Sequence, residues 1–228
     1  MKIVVFGATG MIGAAVLLEA FDDPQVTSVL AVGRRPTGRE HAKLRELVHA
    51  DFLDFSAVQS EFADVDACLW CLGVPSSGMS EADYRRFTVE ITVAASKALL
   101  AANPAMRMCF VSGAGSNREG RAMWQRVKAE AEDAVLAMPW RSVHCFRPGA
   151  ILPERGVQSR VALYRAMYAG LGWAIRGLRT VAPNAASTSP QLAQAMLAVA
   201  RHGEAPAVLE VADIHAVVIG GGIAQPLA

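Results

Sequence analysis

The first thirteen residues constrain the fold of this chain more than any other stretch. An apolar run from Lys2 to Phe6 is followed by glycines at positions 7, 10 and 13, and an amphipathic helical pattern begins near Met11. A continuous apolar run is typical of a strand buried on both faces of a parallel sheet. The glycines allow a tight turn, the approach of backbone amides to a diphosphate, and close packing of the helix that follows. We therefore predict a strand, a phosphate-binding loop and a helix, with a strand–helix turn that binds nothing as the alternative. The candidate cofactor-binding residues of this loop are Gly7, Thr9, Gly10, Met11, Ile12 and Gly13.

Length and composition favour one α/β domain over residues 1–228. Of the 228 residues, 53% are hydrophobic and 19% are charged, which is enough for a buried core and argues against disorder. The net charge of +1 offers no basic face for nucleic acid. No secretory signal and no apolar run of the roughly 18 residues that a membrane span needs are visible. We expect a cytoplasmic protein without an integral membrane segment.

The four cysteines do not suggest metal or redox chemistry. Cys68, Cys71, Cys109 and Cys145 each lie in or beside an apolar run, which is typical of buried free thiols. Cys68 and Cys71 have C-x-x-C spacing, but residues three apart on a strand point to opposite faces. The five histidines show no metal-binding spacing, so no metal site is predicted.

The end of the second predicted strand, Val26 to Val32, carries a pair of arginines. An acidic residue at this point would bind the ribose 2'-hydroxyl of NAD(H), whereas the chain has Arg34 and Arg35. Two guanidinium groups suit a 2'-phosphate. We predict NADP(H) in preference to NAD(H), with solvated loop arginines as the alternative.

The next predicted elements are a helix over about 39–47 and a short third strand over 49–52. This strand would end in Asp51 and Phe52, near the adenine of a bound nucleotide, where the Asp51 carboxylate could accept a hydrogen bond from the exocyclic amine. Asp51 and Phe52 are therefore candidate cofactor-binding residues.

Three later stretches place polar or small residues where strands end. A fourth strand, 67–73, ends at Gly73, and a fifth, 106–111, is followed by Ser112. Ligands bind at the carboxyl ends of the strands in open α/β sheets, so Gly73 and Ser112 should face the site. A helix over about 121–132 then carries Trp124 and Lys128, which are four residues apart and share a face.

These motifs together resemble the short-chain dehydrogenase/reductase superfamily over roughly residues 1–150. The resemblance is to the atypical NAD(P)H-binding branch with NmrA-like and Tat-interacting-protein-like members, of NAD-dependent epimerase/dehydratase type. It implies a Rossmann-like doubly wound parallel sheet with a catalytic Ser, Tyr and Lys. Carried over, it implies that Ser112 orients the substrate and that Lys128 binds the nicotinamide ribose. It also places Cys71, Leu72, Gly73, Pro148 and Gly149 beside the cofactor.

The chain departs from the family at the catalytic tyrosine, because the Tyr of the Y-x-x-x-K spacing is Trp124. An indole N–H has no acid–base equilibrium near neutral pH, whereas a phenol has a pKa of about 10 that an ammonium can lower. Tyr84, Tyr164, Tyr168, or a water held by Lys128, could supply the proton instead. Trp124 itself could be a packing residue or a wall against the nicotinamide or the substrate.

The C-terminal third differs from the regular strand–helix alternation before it. The family resemblance implies that residues 151–190 are a small substrate-side elaboration. They carry an Arg-rich helical pattern over 158–178 that could be a lid, a subunit interface or a membrane-surface helix. A final helix over 189–201 and a strand over 207–211 follow.

Taken together, the sequence predicts an NADP(H)-binding oxidoreductase or epimerase-like enzyme for a small organic substrate, with a homo-oligomer as one possibility. Because the usual Tyr is absent, a non-catalytic NADP(H)-binding regulatory or redox-sensing protein is the alternative.

Overall fold

Seven parallel strands form the central sheet of the computed structural model, which describes residues 1–157 and 186–219. The strands are β1 Lys2–Phe6, β2 Ser28–Gly33, β3 Leu44–Val48, β4 Ala67–Trp70, β5 Arg107–Val111, β6 Ser142–Phe146 and β9 Val208–Leu209. Their order across the sheet is β3-β2-β1-β4-β5-β6-β9. The chain adds strands outward from β1 to one edge and then returns to build the other half, so the order reverses between β1 and β4. This is the predicted Rossmann-like doubly wound sheet, in which ligands bind at the reversal point.

Helices cover both faces of this sheet. One face carries α1 Met11–Asp22, α5 Ser189–His202 and α6 Val211–Ile219, and the other carries α2 Glu81–Arg85, α3 Ile91–Ala102 and α4 Met123–Leu136. A 3-10 helix, Ser56–Phe62, precedes β4, and a π-helical turn, Arg86–Glu90, joins α2 to α3. The two layers of helices bury both faces of the sheet, as parallel sheets require.

The first strand is central because it is apolar on both faces. Ile3, Val4, Val5 and Phe6 are each at most 1% exposed. The Phe6 ring lies 4.6 Å, centroid to centroid, from the indole of Trp70 on β4. These contacts hold β1 and β4 together at the point where the strand order reverses.

The structure corrects the prediction for residues 39–52. The predicted helix over 39–47 is wrong, because Leu44–Val48 is the edge strand β3, which pairs in parallel with β2 from Val29↔Leu44 to Gly33↔Val48. The strand predicted over 49–52 is instead a loop that follows β3. The local sequence Leu-Arg-Glu-Leu suits a helix, but pairing with β2 outweighs this weak preference.

Two short parallel strands lie near the two ends of the predicted substrate-side segment, 151–190, and pair with each other. These strands are β7 Ala150–Leu152 and β8 Ala186–Thr188, paired from Ala150↔Ala186 to Leu152↔Thr188. The predicted Arg-rich helix over 158–178 lies outside the described residues, as do Tyr164 and Tyr168. No helix within 1–157 or 186–219 combines the length and apolar character that a bilayer span needs.

Candidate functional site

A cleft of about 530 Å³ opens at the carboxyl ends of β1, β2, β4 and β5. Its wall includes the glycine-patterned loop, both arginines after β2, and the residues that follow β4 and β5. The predicted site residues that line it are Gly7, Thr9, Gly10, Met11, Ile12, Arg34, Arg35, Phe52, Cys71, Leu72, Gly73, Ser112 and Lys128. Elements that are far apart in sequence therefore converge on one cavity.

Two glycines allow the first loop to pack against its neighbours. Gly7 has a positive φ of 77°, and a Cβ atom there would lie 2.6 Å from the carbonyl oxygen of Cys71. A Cβ atom on Gly13 would lie 2.2 Å from the carbonyl oxygen of Gly7. A side chain at either position would force the backbone apart, so the compact loop requires glycine at both.

The same loop leaves the positive end of α1 open to the cleft. The N-cap residue is Gly10, no side chain of residues 1–157 or 186–219 caps the helix, and its first turn carries no acidic residue. First-turn amides have no intrahelical acceptor, and the helix dipole adds positive potential there. The amides of Met11 and Ile12, at the cleft wall, can therefore hold a diphosphate.

Arg34 and Arg35 lie at the end of β2 and are exposed. Neither guanidinium forms an ion pair or a hydrogen bond with any residue in the described part of the chain. Nearby, Thr37 donates from its amide and its hydroxyl to the Glu46 carboxylate, at 2.6 and 2.5 Å. The Glu46 carboxylate is thus hydrogen-bonded to Thr37 and not to either arginine, so both guanidinium groups can bind an anion.

A second cleft of about 300 Å³ shares part of its wall with the first and contains the predicted adenine residues. Phe52 lines both clefts and packs edge-on against Phe6, with the ring centroids 6.2 Å apart. Asp51 lines the second cleft and accepts a hydrogen bond from the Leu53 amide at 2.9 Å through one carboxylate oxygen. Its other oxygen can accept an additional hydrogen bond.

Ser112, directly after β5, is 8% exposed and held in a hydroxyl chain. Its Oγ lies 3.0 Å from the Oγ of Ser116, which donates to the carbonyl oxygen of Gly113 at 2.8 Å. Because the single proton of Ser116 is used in that bond, Ser112 is the donor of the pair. The Ser112 oxygen can therefore accept a hydrogen bond from a ligand, but its proton must leave Ser116 before Ser112 can donate to a substrate carbonyl.

Lys128 extends from α4 to the same end of the cleft. Its ammonium group donates to the carbonyl oxygen of Val111 at 3.2 Å and lies 5.4 Å from the ring centroid of Phe110. Burial lowers the pKa of Lys128 to about 8, while the negative charge of Glu132, one turn later, opposes this shift. The group can therefore exchange a proton near neutral pH.

An ion pair between Glu132 and Arg147 connects α4 to the end of β6. The Glu132 side chain is 3% exposed and accepts from the Arg147 Nε and Nη2 at 2.8 and 2.5 Å. Arg147 also pairs with Glu210, just before α6, at 3.0 Å. This buried pair therefore links α4, one turn after Lys128, to the end of β6.

Trp124, at the position of the usual tyrosine, does not line the cleft. A Cβ atom on Gly113 or on Gly115 would lie 3.6 Å from its indole ring, so the ring packs over the turn that follows β5. Pro148 and Gly149 also lie outside the wall of the cleft, and the Pro148 carbonyl accepts from the Ala114 amide at 3.2 Å. Tyr84 is 3% exposed within the core, so this phenol does not face the cleft.

The cysteines lie where the sequence predicted. Cys68, Cys109 and Cys145 are buried and Cys71 is half-buried, and all four are free. Cys68 belongs to one core cluster and Cys71 packs against the other, so the C-x-x-C residues point to opposite faces. Within the described residues, no three His, Cys, Asp or Glu side chains are grouped to hold a metal ion.

The sequence prediction missed the part of the site that comes from the α2–α3 connection. Arg86 and Phe87, in the π-helical turn, line the second cleft. The sequence gives no signal for this part of the site, because Arg86 and Phe87 fall within a helical pattern and only the irregular turn brings them to the cleft.

This fold and this cleft define a dinucleotide-binding α/β protein of the Rossmann type. Residues 3–119 match the NAD dependent epimerase/dehydratase family, and the chain belongs to that family. The match confirms the predicted resemblance to the short-chain dehydrogenase/reductase superfamily.

Two fungal relatives and one solved structure illustrate the similarity. The chain is 26% identical over 160 residues to "Protein FMP52, mitochondrial" of Candida albicans, which covers 68% of this chain and 69% of the relative. Identity to the protein of the same name from Eremothecium gossypii is 30% over 158 residues, covering 68% of each. MoeE5 in complex with UDP-glucose and NAD has a TM-score of 0.66 at 16% identity, covering 97% of this chain and 82% of that chain, and supports the fold alone.

The relatives contradict the prediction of a cytoplasmic protein, because both are named as mitochondrial. That prediction rested on the lack of a secretory signal and of a membrane span. Neither feature distinguishes the cytoplasm from the interior of an organelle, so the inference was wrong.

Proposed function

We propose that this chain binds NADP(H) and acts as an oxidoreductase or epimerase-like enzyme on a small organic substrate. The observation that carries the proposal is the continuity of the main cleft. It runs from the open end of α1 and the arginine pair to Ser112 and Lys128. One extended ligand with a diphosphate in its middle would span these features.

The residues present fit the cofactor at each end. The amides of Met11 and Ile12 would hold the diphosphate, Arg34 and Arg35 the 2'-phosphate, and Asp51 the adenine amine. A nicotinamide cofactor is also the one named with the structural neighbour MoeE5. When bound, this group would supply or accept a hydride.

Ser112 and Lys128 would act on the substrate side. Lys128 would bind the nicotinamide ribose and hold a proton at Nζ, which its lowered pKa lets it release near neutral pH. Ser112 would orient a substrate oxygen by exchanging its bond to Ser116 for one to the ligand. With Trp124 outside the cleft, the proton would come from Lys128 directly or through a water that it holds.

Trp124 also favours a second function, that of a regulatory or redox-sensing protein that binds NADP(H) without turnover. Among the described residues no phenol lines the cleft. Loss of a general acid typically lowers the rate by about 10²- to 10⁴-fold, so a chain without one could retain binding alone.

Calorimetric titration tests the binding step. Wild-type protein should bind NADP+ more tightly than NAD+, and an Arg34→Ala/Arg35→Ala variant should lose about tenfold or more for NADP+ with little change for NAD+. The magnitude follows from roughly 1.5–3 kcal/mol for each hydrogen bond to a charged group. Equal affinities in the wild type would refute the NADP(H) preference, and no binding of either nucleotide would refute the function.

Turnover separates the two functions. The enzyme requires NADPH oxidation with at least one member of a panel of carbonyl and enone compounds. This activity should be abolished by Lys128→Ala and unaffected by Lys97→Ala, which changes an exposed residue of α3. Tight NADPH binding with no turnover across the panel, and new reductase activity in Trp124→Tyr, would favour the sensor.

A further inference from the structure

The second cleft carries more positive charge than the adenine alone explains. Arg34 and Arg86 both line it, and among the described residues of its wall Asp51 is the single carboxylate. Phe52, Leu53 and Phe87 supply the apolar surface that a base would cover, and Leu53 and Phe87 are 41% and 39% exposed. An adenosine is neutral, so it would leave this positive charge uncompensated.

The π-helical turn explains why Glu90 pairs with Arg85 and not with Arg86. In a regular α-helix, residues four apart are neighbours, so Glu90 would face Arg86. A π turn forms i→i+5 contacts, and here Glu90 pairs with Arg85 instead, at 3.2 Å. Arg85 also binds Glu130 on α4, with its Nε 2.9 Å from one carboxylate oxygen. Arg86 therefore has no ion-pair partner within the described residues.

Resting on the proposed function, we propose that Arg86 is a specificity-determining residue that binds the 2'-phosphate of NADP(H) together with Arg34. The turn Arg86–Glu90 directs Arg86 into the second cleft and assigns the nearby carboxylate to Arg85. A 2'-phosphate supplies the negative charge that this cleft lacks, while the apolar wall covers the base. Arg34 belongs to both clefts, so one phosphate at their junction can reach it and Arg86.

Arg86→Met tests this inference, because it removes the charge and keeps an unbranched apolar stem on an exposed residue. Full-length protein is titrated with NADP+, with NAD+ and with the fragment 2',5'-ADP at one fixed ionic strength. We expect the variant to lose about tenfold for NADP+ and for 2',5'-ADP, the scale of one charge-assisted hydrogen bond, and less than about twofold for NAD+. Arg86→Lys should recover part of the loss. Lys97→Met, which removes an exposed cation from α3 away from both clefts, should bind as the wild type does.

Each other outcome overturns the inference. Equal loss for NADP+ and NAD+ would place Arg86 against the adenine or in the fold, and unchanged affinities would remove it from the site. A Lys97→Met loss as large as that of Arg86→Met would show a general charge effect. Failure of the proposed function looks different, because the wild-type protein itself would then bind neither nucleotide.

Discussion

Replacement of Gly13 by alanine should destabilise the protein, although Gly→Ala in a helix is ordinarily favourable. Within a helix, alanine is better than glycine by roughly 1 kcal/mol. At Gly13, however, the new Cβ would lie 2.2 Å from the Gly7 carbonyl oxygen and 2.7 Å from its carbonyl carbon. Because these atoms are backbone, the loop must move by roughly 1 Å to restore ordinary contact distances.

The net effect can be worked out from these two opposing contributions. Overpacking typically costs about 1–3 kcal/mol, and a contact with backbone belongs at the upper end. After the propensity gain is subtracted, we expect the free energy of unfolding to fall by roughly 1–2 kcal/mol. For a chain of this length, that lowers Tm by about 2–8 °C. Displacement of the loop should also weaken NADP+ binding, because the amides that face the diphosphate move with it.

Thermal melts with and without NADP+, together with calorimetry, measure both effects. For the melts without nucleotide, Gly73→Ala is the matched control, because a Cβ there meets no atom of the described residues within 4 Å. Gly73 lines the cleft, so this variant serves as the control for stability and not for NADP+ binding. Its Tm should be unchanged or slightly higher. A Gly13→Ala variant that melts at or above the wild-type temperature would refute the steric argument, since helix propensity alone predicts that result.

Three further predictions concern α4 and the cleft. Lys128→Met should raise the free energy of unfolding by roughly 1–3 kcal/mol at pH 7. The pKa of Lys128 in the native state is about 8, below the ordinary 10.5, so the wild type gains stability as the pH rises from 8 to 10.5. In urea denaturation, the stability advantage of the variant should therefore be smaller at pH 10 than at pH 7. A difference that stays constant with pH would contradict the lowered pKa. Glu132→Gln leaves the half-buried Arg147 without its main partner, and the free energy of unfolding should fall by roughly 3 kcal/mol in the same assay. Arg118→Met breaks an exposed ion pair and should lower it by less than about 1 kcal/mol. Equal losses in the two variants would show that the buried pair stabilises the protein no more than the exposed one. Cys71 is less buried than the other three cysteines and lines the main cleft, so it should be the first thiol that iodoacetamide alkylates, as measured by mass spectrometry. Bound NADP+ should slow the alkylation of Cys71. Equal labelling with and without the nucleotide would place the ligand elsewhere.

The sequence by itself determined the parts of the molecule that depend on local patterns. The run Lys2–Phe6 and the glycines that follow specify β1, the loop and the start of α1, because a doubly buried strand and a glycine-dependent turn are encoded by neighbouring residues. Ser112 was assigned to the site from its place after a predicted strand, and Lys128 from the family resemblance, and both line the main cleft.

Tertiary structure decided the features that depend on distant partners. Residues 44–48 became a strand because β2 offers a pairing edge, and α6 over Val211–Ile219, absent from the prediction, packs on the buried face of α5. Arg86 is left to line the second cleft because Glu90 pairs with Arg85, and Arg85 also pairs with Glu130 on α4. Propensity is a preference of well under 1 kcal/mol per residue, so pairing and packing between remote segments can reverse it without any trace in the local sequence.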